Sequence, residues 1–271
     1  MSTTPPGTTP STTPAAAAPP PPAAADDSLA VAPGAFRRVV GYSWWATFGW
    51  VGWVWLAAVL VWVGIVVLTL RYGELGDSIW VGAGMSWTRW IIGAAAVVLA
   101  TQGLPMFVAN GVTRRDAARG SLVALALLVV AWSAIVTAVA LVEGVVFDAA
   151  DVVRTLHQSE RHVFDSMDQW GLVFVESLVA YAGFAVGGWF VGTAYYRFGP
   201  YLGTLLLPIG LLAGTAVELL VSGSTLPEEV LDWRDDLRSG IGMALCLLVV
   251  AGVLAGARGL QRSMPLRSRP R

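Results

Sequence analysis

Residues 113–142 read TRRDAARGSLVALALLVVAWSAIVTAVALV, so three arginines stand just before 21 uncharged, mostly apolar residues. A helix needs about 20 residues to cross a hydrocarbon core of roughly 30 Å, so Leu122–Val142 predicts a transmembrane helix. The whole chain has this character. Its mean hydropathy is +0.66 and its charged fraction is 13%, against about 25% in soluble domains. The sequence therefore predicts a membrane protein.

Five further apolar stretches flank this one, which makes six predicted spans. Backbone polar groups in lipid must pair internally, so each span is predicted to be a helix. A membrane β-barrel would instead show alternating segments of about ten residues. The fold class is thus an all-α polytopic membrane protein with six transmembrane helices. The predicted spans are Gly49–Leu70, Trp90–Asn110, Leu122–Val142, Gly171–Tyr195, Tyr201–Ser222 and Gly240–Gly256.

The arginines sort onto alternate connections and predict the orientation. Eleven of the 17 lie before the first span, on the connections after the second and fourth spans, or after the sixth. The other connections hold six arginines and most of the acidic residues. The positive-inside rule places the first set in the cytoplasm, so both termini are cytoplasmic. The bias towards Arg, Ala, Gly and Val indicates a bacterium, and we expect the protein in its plasma membrane.

Composition divides the chain into three predicted parts. Residues 1–35 are mostly Pro, Thr, Ala and Ser, which predicts a disordered cytoplasmic tail. A mucin-like stalk shares this composition, but the topology favours the tail. Residues 36–258 form the transmembrane domain, and residues 259–271 an arginine-rich cytoplasmic tail.

Three shorter segments lie beside the spans. Phe36–Trp45 has helix-like apolar spacing with arginines on the other face, which predicts an interfacial helix or an irregular lead-in to the first span. Asp151–Met167 and Thr225–Leu237 carry apolar residues on one face, so we expect amphipathic helices on the extracytoplasmic side.

The composition also excludes several functions. The chain has no lysine, so it lacks a Walker A phosphate loop and any lysine for a Schiff base. Its single cysteine, Cys246, is expected to be a small buried hydrophobe. His157 and His162 are five residues apart and diverge around a helix, so we expect two solvated loop histidines rather than a metal pair. We expect no enzymatic activity of the chain itself, no cofactor, no metal and no nucleic-acid partner.

Glycines and prolines predict how the spans pack. The fourth span carries two successive small-xxx-small patterns, Gly183–Gly187 and Gly188–Gly192, which let helix backbones approach closely. This contact could lie within one subunit or at a dimer seam. Pro105 and Pro208 lie inside predicted spans and predict kinks there.

A few polar residues lie within the predicted spans. Those that stand out are Gln102, Glu143, Glu176 and Glu218. Glu143 is expected to be solvated at the outer interface. A carboxylate below the surface should face protein or water, so Glu176 and Glu218 either line an outward-facing vestibule or pair with Arg234 or Arg238. Gln102, Glu176 and Glu218 are the candidate transport-path residues.

The end of the second span bears most on function. Residues 105–120 read PMFVANGVTRRDAARG. Gly111 can end the membrane helix in a left-handed cap, and Thr113 can cap a new short helix with Asp116 in its first turn. This predicts a sharp turn and a small basic helix at the cytoplasmic surface, with Ala117 and Ala118 on a small exposed face. Alternatively, its arginines only anchor the topology.

The run Gly-Val-Thr-Arg-Arg-Asp at residues 111–116 resembles the G-x-T-R-[RK] element of actinobacterial type-2 ABC-transporter permeases. The predicted layout from Phe36 to Arg262 is similar to that family. So is the turn Tyr-Tyr-Arg-Phe-Gly at residues 195–199. The resemblance implies a coupling helix between the second and third spans that contacts an ATPase. The residues it marks for coupling are Gly111, Thr113, Arg114, Arg115, Asp116 and Arg119.

The resemblance implies a permease subunit of an ABC-type exporter. Such a subunit would work with a separate ATP-binding-cassette ATPase subunit and a second permease half, identical or different. The absence of a phosphate loop fits a subunit whose motor lies on another chain. The alternative is a non-transporting polytopic membrane protein that acts as a sensor or assembly partner through its cytoplasmic turn and tail.

Overall fold

The computed structural model describes residues 34–72, 80, 85–150, 162–164, 166, 169–222 and 241–262. The elements within these residues are all helical. Two π-helical segments accompany the α-helices: Leu99–Gly103 joins α2 to α3, and Glu218–Ser222 continues α5. The α-helices are α1 (Ala35–Tyr72), α2 (Met85–Val98), α3 (Leu104–Ala109), α4 (Arg114–Ala149), α5 (Trp170–Val217) and α6 (Ile241–Arg262).

By length and composition, five helices in the described residues could cross a membrane. They agree with the predicted class of an all-α, membrane-embedded protein. The five are Ala35–Leu68, Met85–Ala109, Arg114–Ala149, Trp170–Leu220 and Ala244–Gln261.

The fourth of these, with 51 residues, folds back on itself at Gly199. Gly199 has φ 79° and ψ −174°, a non-helical conformation that glycine adopts without strain. A Cβ on Gly183 would lie 2.9 Å from the carbonyl oxygen of Ala213, and one on Gly203 would lie 2.9 Å from Cα of Tyr195. Residue numbers fall along one arm as they rise along the other, so α5 is an antiparallel hairpin. Its turn lies where the sequence predicts the connection between the fourth and fifth spans.

The segment Phe36–Trp45 is helical, as one of the two sequence interpretations expects, but it is not a separate interfacial helix. It is the start of α1, which has 38 residues and is about 57 Å long. Val39 is 1% exposed because it packs against α4, where a Cβ on Gly120 would overlap the Val39 side chain. This segment therefore packs on a neighbouring helix.

The predicted short basic helix is likewise not separate. It forms the first two turns of α4, which continues unbroken from Arg114 to Ala149. Gly120, the glycine that directly follows these turns, lies where α1 and α4 approach closely, so it serves packing rather than a break.

Aromatic rings build the seam between α1 and α4. Their centroids follow one another at 4.8–5.8 Å, which is the usual range for attractive ring pairs. This column contributes much of the core. Its members, in order of contact, are Trp44, Phe48, Trp132, Trp55, Trp80 and Trp62.

The four glycines of the fourth predicted span pack within the chain, as one of the two alternatives predicts. Gly183 and Gly187 face the C-terminal arm of α5. Gly188 and Gly192 face α2, where added Cβ atoms would overlap its backbone carbonyls. The two glycine pairs therefore bring two different neighbours against one helix.

Several sequence predictions fall outside the described residues and remain predictions. These include the tail at residues 1–33, the segment Thr225–Leu237 and residues 263–271. Of Asp151–Met167, residues 162–164 and 166 are described, and these are not helical. At the other terminus, α6 continues to Arg262, four residues into the predicted C-terminal tail.

Candidate functional site

The predicted site residues other than Gln102 lie at two ends of the helical bundle. The first group is the arginine turn, residues 110–119, which comprises the connection from α3 to α4 and the first turns of α4. The second is the polar cluster, defined as Arg89, His162, Glu176, Tyr181 and Glu218. About 32 Å of helix separates Arg89 from Asn110, so the two groups occupy opposite ends.

The arginine turn begins with a tight helix ending. Gly111 has φ 80°, and its N–H donates to the carbonyl of Val108 at 3.1 Å. The N–H of Val112 donates to Phe107 O at 3.1 Å, and the Asn110 side-chain amide donates to Met106 O at 2.8 Å. The left-handed cap predicted at Gly111 is therefore confirmed, and the last carbonyls of α3 have donors.

The turn ends with an equally well-defined helix start. Thr113 has an extended backbone, and its Oγ1 accepts from the N–H of Asp116 at 3.1 Å. The same hydroxyl lies 2.8 Å from Asp116 Oδ2, to which it donates. The predicted N-cap is confirmed, and Asp116 sits in the first helical turn, where a negative charge favours the helix dipole.

The arginine turn has a buried side and an exposed side. Ala117 is 0% exposed and packs with Val39, Leu104 and Phe107. The expectation that Ala117 lies on an exposed face is wrong, because α1 covers this side of α4. The exposed face carries the side chains of Arg114, Arg115 and Arg119. Backbone caps and a small apolar cluster thus hold three guanidinium groups at this end of the bundle.

The polar cluster contains a histidine–glutamate pair. His162 Nδ1 lies 2.8 Å from Glu176 Oε1, and the N–H of Val163 donates to Glu176 Oε2 at 2.8 Å. The two paired side chains are 5% and 4% exposed, and the His162 ring stacks on Phe164. The expectation of a solvated His162 is therefore wrong; the apolar neighbours at 163 and 164 were the available signal. His157 lies outside the described residues.

The second pair joins Arg89 near the start of α2 to Glu218 at the end of α5. Arg89 also donates to Ser86 Oγ at 2.6 Å. Glu218 faces the bundle and is ion-paired, as the cost of a carboxylate in lipid requires. The sequence analysis did not predict Arg89 as the partner of Glu218 or His162 as the partner of Glu176. Its candidate partners, Arg234 and Arg238, lie outside the described residues.

The two pairs meet around a very small cavity. It has a volume of about 20 Å³ and is lined by Arg89, His162, Glu176 and Tyr181, among others. A space of this size holds about one water molecule. In the described residues Glu176 therefore occupies a closed, paired site rather than an open vestibule.

Glu143 also departs from expectation, since it is 0% exposed rather than solvated. Its Oε1 accepts from Trp62 Nε1 and from the N–H of Trp80, each at 3.2 Å. Trp80 in turn donates its Nε1–H to Val136 O at 3.2 Å. Residue 80, which belongs to the connection between α1 and α2, covers the carboxylate and supplies a donor that local sequence does not reveal.

The candidate transport-path residues do not form one site. Gln102 is exposed on the π-helical segment, and about 20 Å of helix separates it from Arg89, the partner of Glu218. Glu218 borders an open, largely apolar groove of about 690 Å³ between α2 and the C-terminal arm of α5. Glu176 is closed off behind it.

No group of three or more His, Cys, Asp or Glu side chains in the described residues could hold a metal ion. Cys246 is 0% exposed, as predicted for a small buried hydrophobe. Comparison with protein families, with curated proteins and with solved structures finds no match.

Proposed function

We propose that this chain is the membrane-spanning permease subunit of an ABC-type exporter. It would work with a separate ATPase subunit and a second permease half in a bacterial plasma membrane. The proposal rests on the arginine turn and its resemblance to the coupling element of type-2 permeases, and on the arrangement of the helices.

The proposed topology has six crossings with both termini in the cytoplasm. The two arms of the α5 hairpin, to either side of Gly199 and including the π-helical end, are about 43 and 34 Å long, and each can cross a core of roughly 30 Å. Tyr196 packs with the cluster beneath the arginine turn, and Arg197 donates to Leu260 O at 2.9 Å. The start of α1, the arginine turn, the α5 turn and the end of α6 therefore share one end, to which the arginine excess assigns the cytoplasm.

The observation that carries the proposal is the exposure of Arg114 and Arg115 on a capped helix start. A loop that only anchors topology needs positive charge but no fixed shape. Here α3 ends at the Gly111 cap and α4 begins at the Thr113 cap. Ala117 is buried in the apolar cluster with Val39, Leu104 and Phe107. Such a preorganised basic edge suits docking in a cleft of a cytoplasmic ATPase, because little conformational entropy is lost on binding.

The test compares two charge-matched double variants, each reconstituted with the ATPase subunit that the proposal requires. Arg114→Gln with Arg115→Gln should abolish co-purification and stimulated ATP hydrolysis. Arg37→Gln with Arg38→Gln removes the same charge from an exposed site at the same end and should retain both. Ala118→Trp adds bulk beside the edge without changing charge and should weaken binding.

Membrane insertion is verified for each variant, since arginines also orient the chain. A normally inserted Arg114/Arg115 variant that still bound and stimulated the ATPase would defeat the proposal. The arginine turn would then be a topology anchor, and the alternative of a non-transporting sensor or assembly partner would take its place.

A further inference from the structure

A second open groove lies beside the arginine turn and is distinct from the groove at Glu218. It runs between α4 and α6 over the N-terminal arm of α5 and has a volume of about 790 Å³. We call it the leaflet groove. Its walls are aliphatic, and the residues that define them here are Leu122, Ala126, Val130, Ala182, Val186 and Leu254.

Charged side chains lie at one end of this groove only. Arg119 on α4 and Arg258 on α6 border it, and both are exposed. Asp116 lies at the same end, where it accepts from the Thr113 hydroxyl. Two guanidinium groups and one carboxylate leave the mouth with a net positive charge, above walls that have no charge.

The length of the groove matches one leaflet of a bilayer. From Arg119 to Val130 along α4 is about 16 Å, and half of a hydrocarbon core is roughly 15 Å. Arginines at such a mouth sit at headgroup level, where basic pockets between membrane helices bind anionic headgroups. The apolar walls then lie beside the acyl chains.

We propose that the leaflet groove binds one anionic glycerophospholipid from the leaflet on the arginine side. Its phosphate lies between Arg119 and Arg258, where bidentate contacts with guanidinium groups are available. One acyl chain follows α4 towards Val130. In this arrangement Arg119 binds lipid, whereas Arg114 and Arg115 are the residues proposed to contact the ATPase. The inference needs only a membrane-embedded chain, so it stands whether or not the permease proposal does.

The test uses the purified full chain in phosphatidylcholine nanodiscs with added phosphatidylglycerol as the probe. Native mass spectrometry counts the phosphatidylglycerol molecules retained after release from the disc. The wild-type chain should retain one per groove. Arg119→Gln with Arg258→Gln should weaken retention about thirtyfold, since each arginine near a headgroup contributes roughly fivefold. Arg37→Gln with Arg38→Gln, outside the groove, should retain the lipid.

A second pair of variants tests the acyl chain without changing charge. Ala126→Trp fills the exposed apolar wall and should remove the retained lipid, whereas Ala134→Trp, exposed on the same helix away from the groove, should not. Equal losses of retained lipid in the Arg119/Arg258 and Arg37/Arg38 variants would show nonspecific attraction to basic residues and would overturn the site. The site would also be overturned if the Ala126→Trp variant retained the lipid. Burial of position 126 against a second copy of the chain would overturn it as well.

Discussion

Glu143 is a fully buried carboxylate whose identified donors come from far along the chain. Trp62 is 81 residues away and Trp80 is 63 residues away. An unpaired carboxylate in this position would be very unfavourable, so these contacts hold Trp62 and Trp80 against α4. In the described structure, Glu143 therefore has a structural role: it links α4 to Trp62 and Trp80.

We expect Glu143→Leu to lower the free energy of unfolding by about 1–3 kcal/mol, because the Trp62 and Trp80 donors lose their acceptor. Glu143→Gln is the matched control: its amide oxygen can accept both bonds, so its stability should stay near that of the wild type. Reversible unfolding in mixed detergent and dodecyl sulfate measures both. A leucine variant as stable as the glutamine variant would contradict the role assigned to Glu143.

At the scale of elements, the N-terminal arm of α5 uses glycine to approach two neighbours. Gly187 meets the C-terminal arm at Gly210, and Gly188 meets α2 at Gly93. Without a hydrophobic driving force between helices in lipid, close backbone packing supplies much of their attraction. Larger side chains here would separate the helices rather than fill a void.

Gly188→Leu should destabilise the chain by about 1–3 kcal/mol or more, since the new side chain overlaps the Gly93 carbonyl and backbone cannot move aside. Gly52→Leu is the control. In the described residues, no atom beyond the neighbouring residues and local backbone of α1 lies within 4 Å of a Cβ built there, so that change should be neutral or slightly stabilising through helix propensity. The same unfolding titration compares them. Equal stability of the two variants would show that this glycine contact is dispensable.

At the scale of the whole molecule, one end of the bundle collects the arginine turn, the Gly199 turn and the ends of α1 and α6. The opposite end holds the buried pair His162–Glu176 and the partly buried pair Arg89–Glu218. This asymmetry fits the proposed topology, in which the basic end lies in the cytoplasm.

The orientation is tested with single cysteines in a Cys246→Ser background. Cysteines at Ser159 and Ser224 should react with a membrane-impermeant thiol reagent in intact cells, because the arginine distribution predicts that these connections lie outside. A cysteine at Ala118 should react only after the cells are opened. Labelling at position 118 in intact cells would reverse the proposed topology.

The sequence by itself determined the helical class, the positions of the apolar helices, the Gly111 and Thr113 caps and the turn at Gly199. These features depend on local properties: apolar length, backbone freedom and side-chain caps within a few residues. Tertiary structure decided that α1 and α4 run unbroken through their basic ends, because Val39 and Gly120 pack together. It also decided the partners of Glu143, Glu176 and Glu218, since burial and pairing of a charge depend on which distant segments the fold brings beside it.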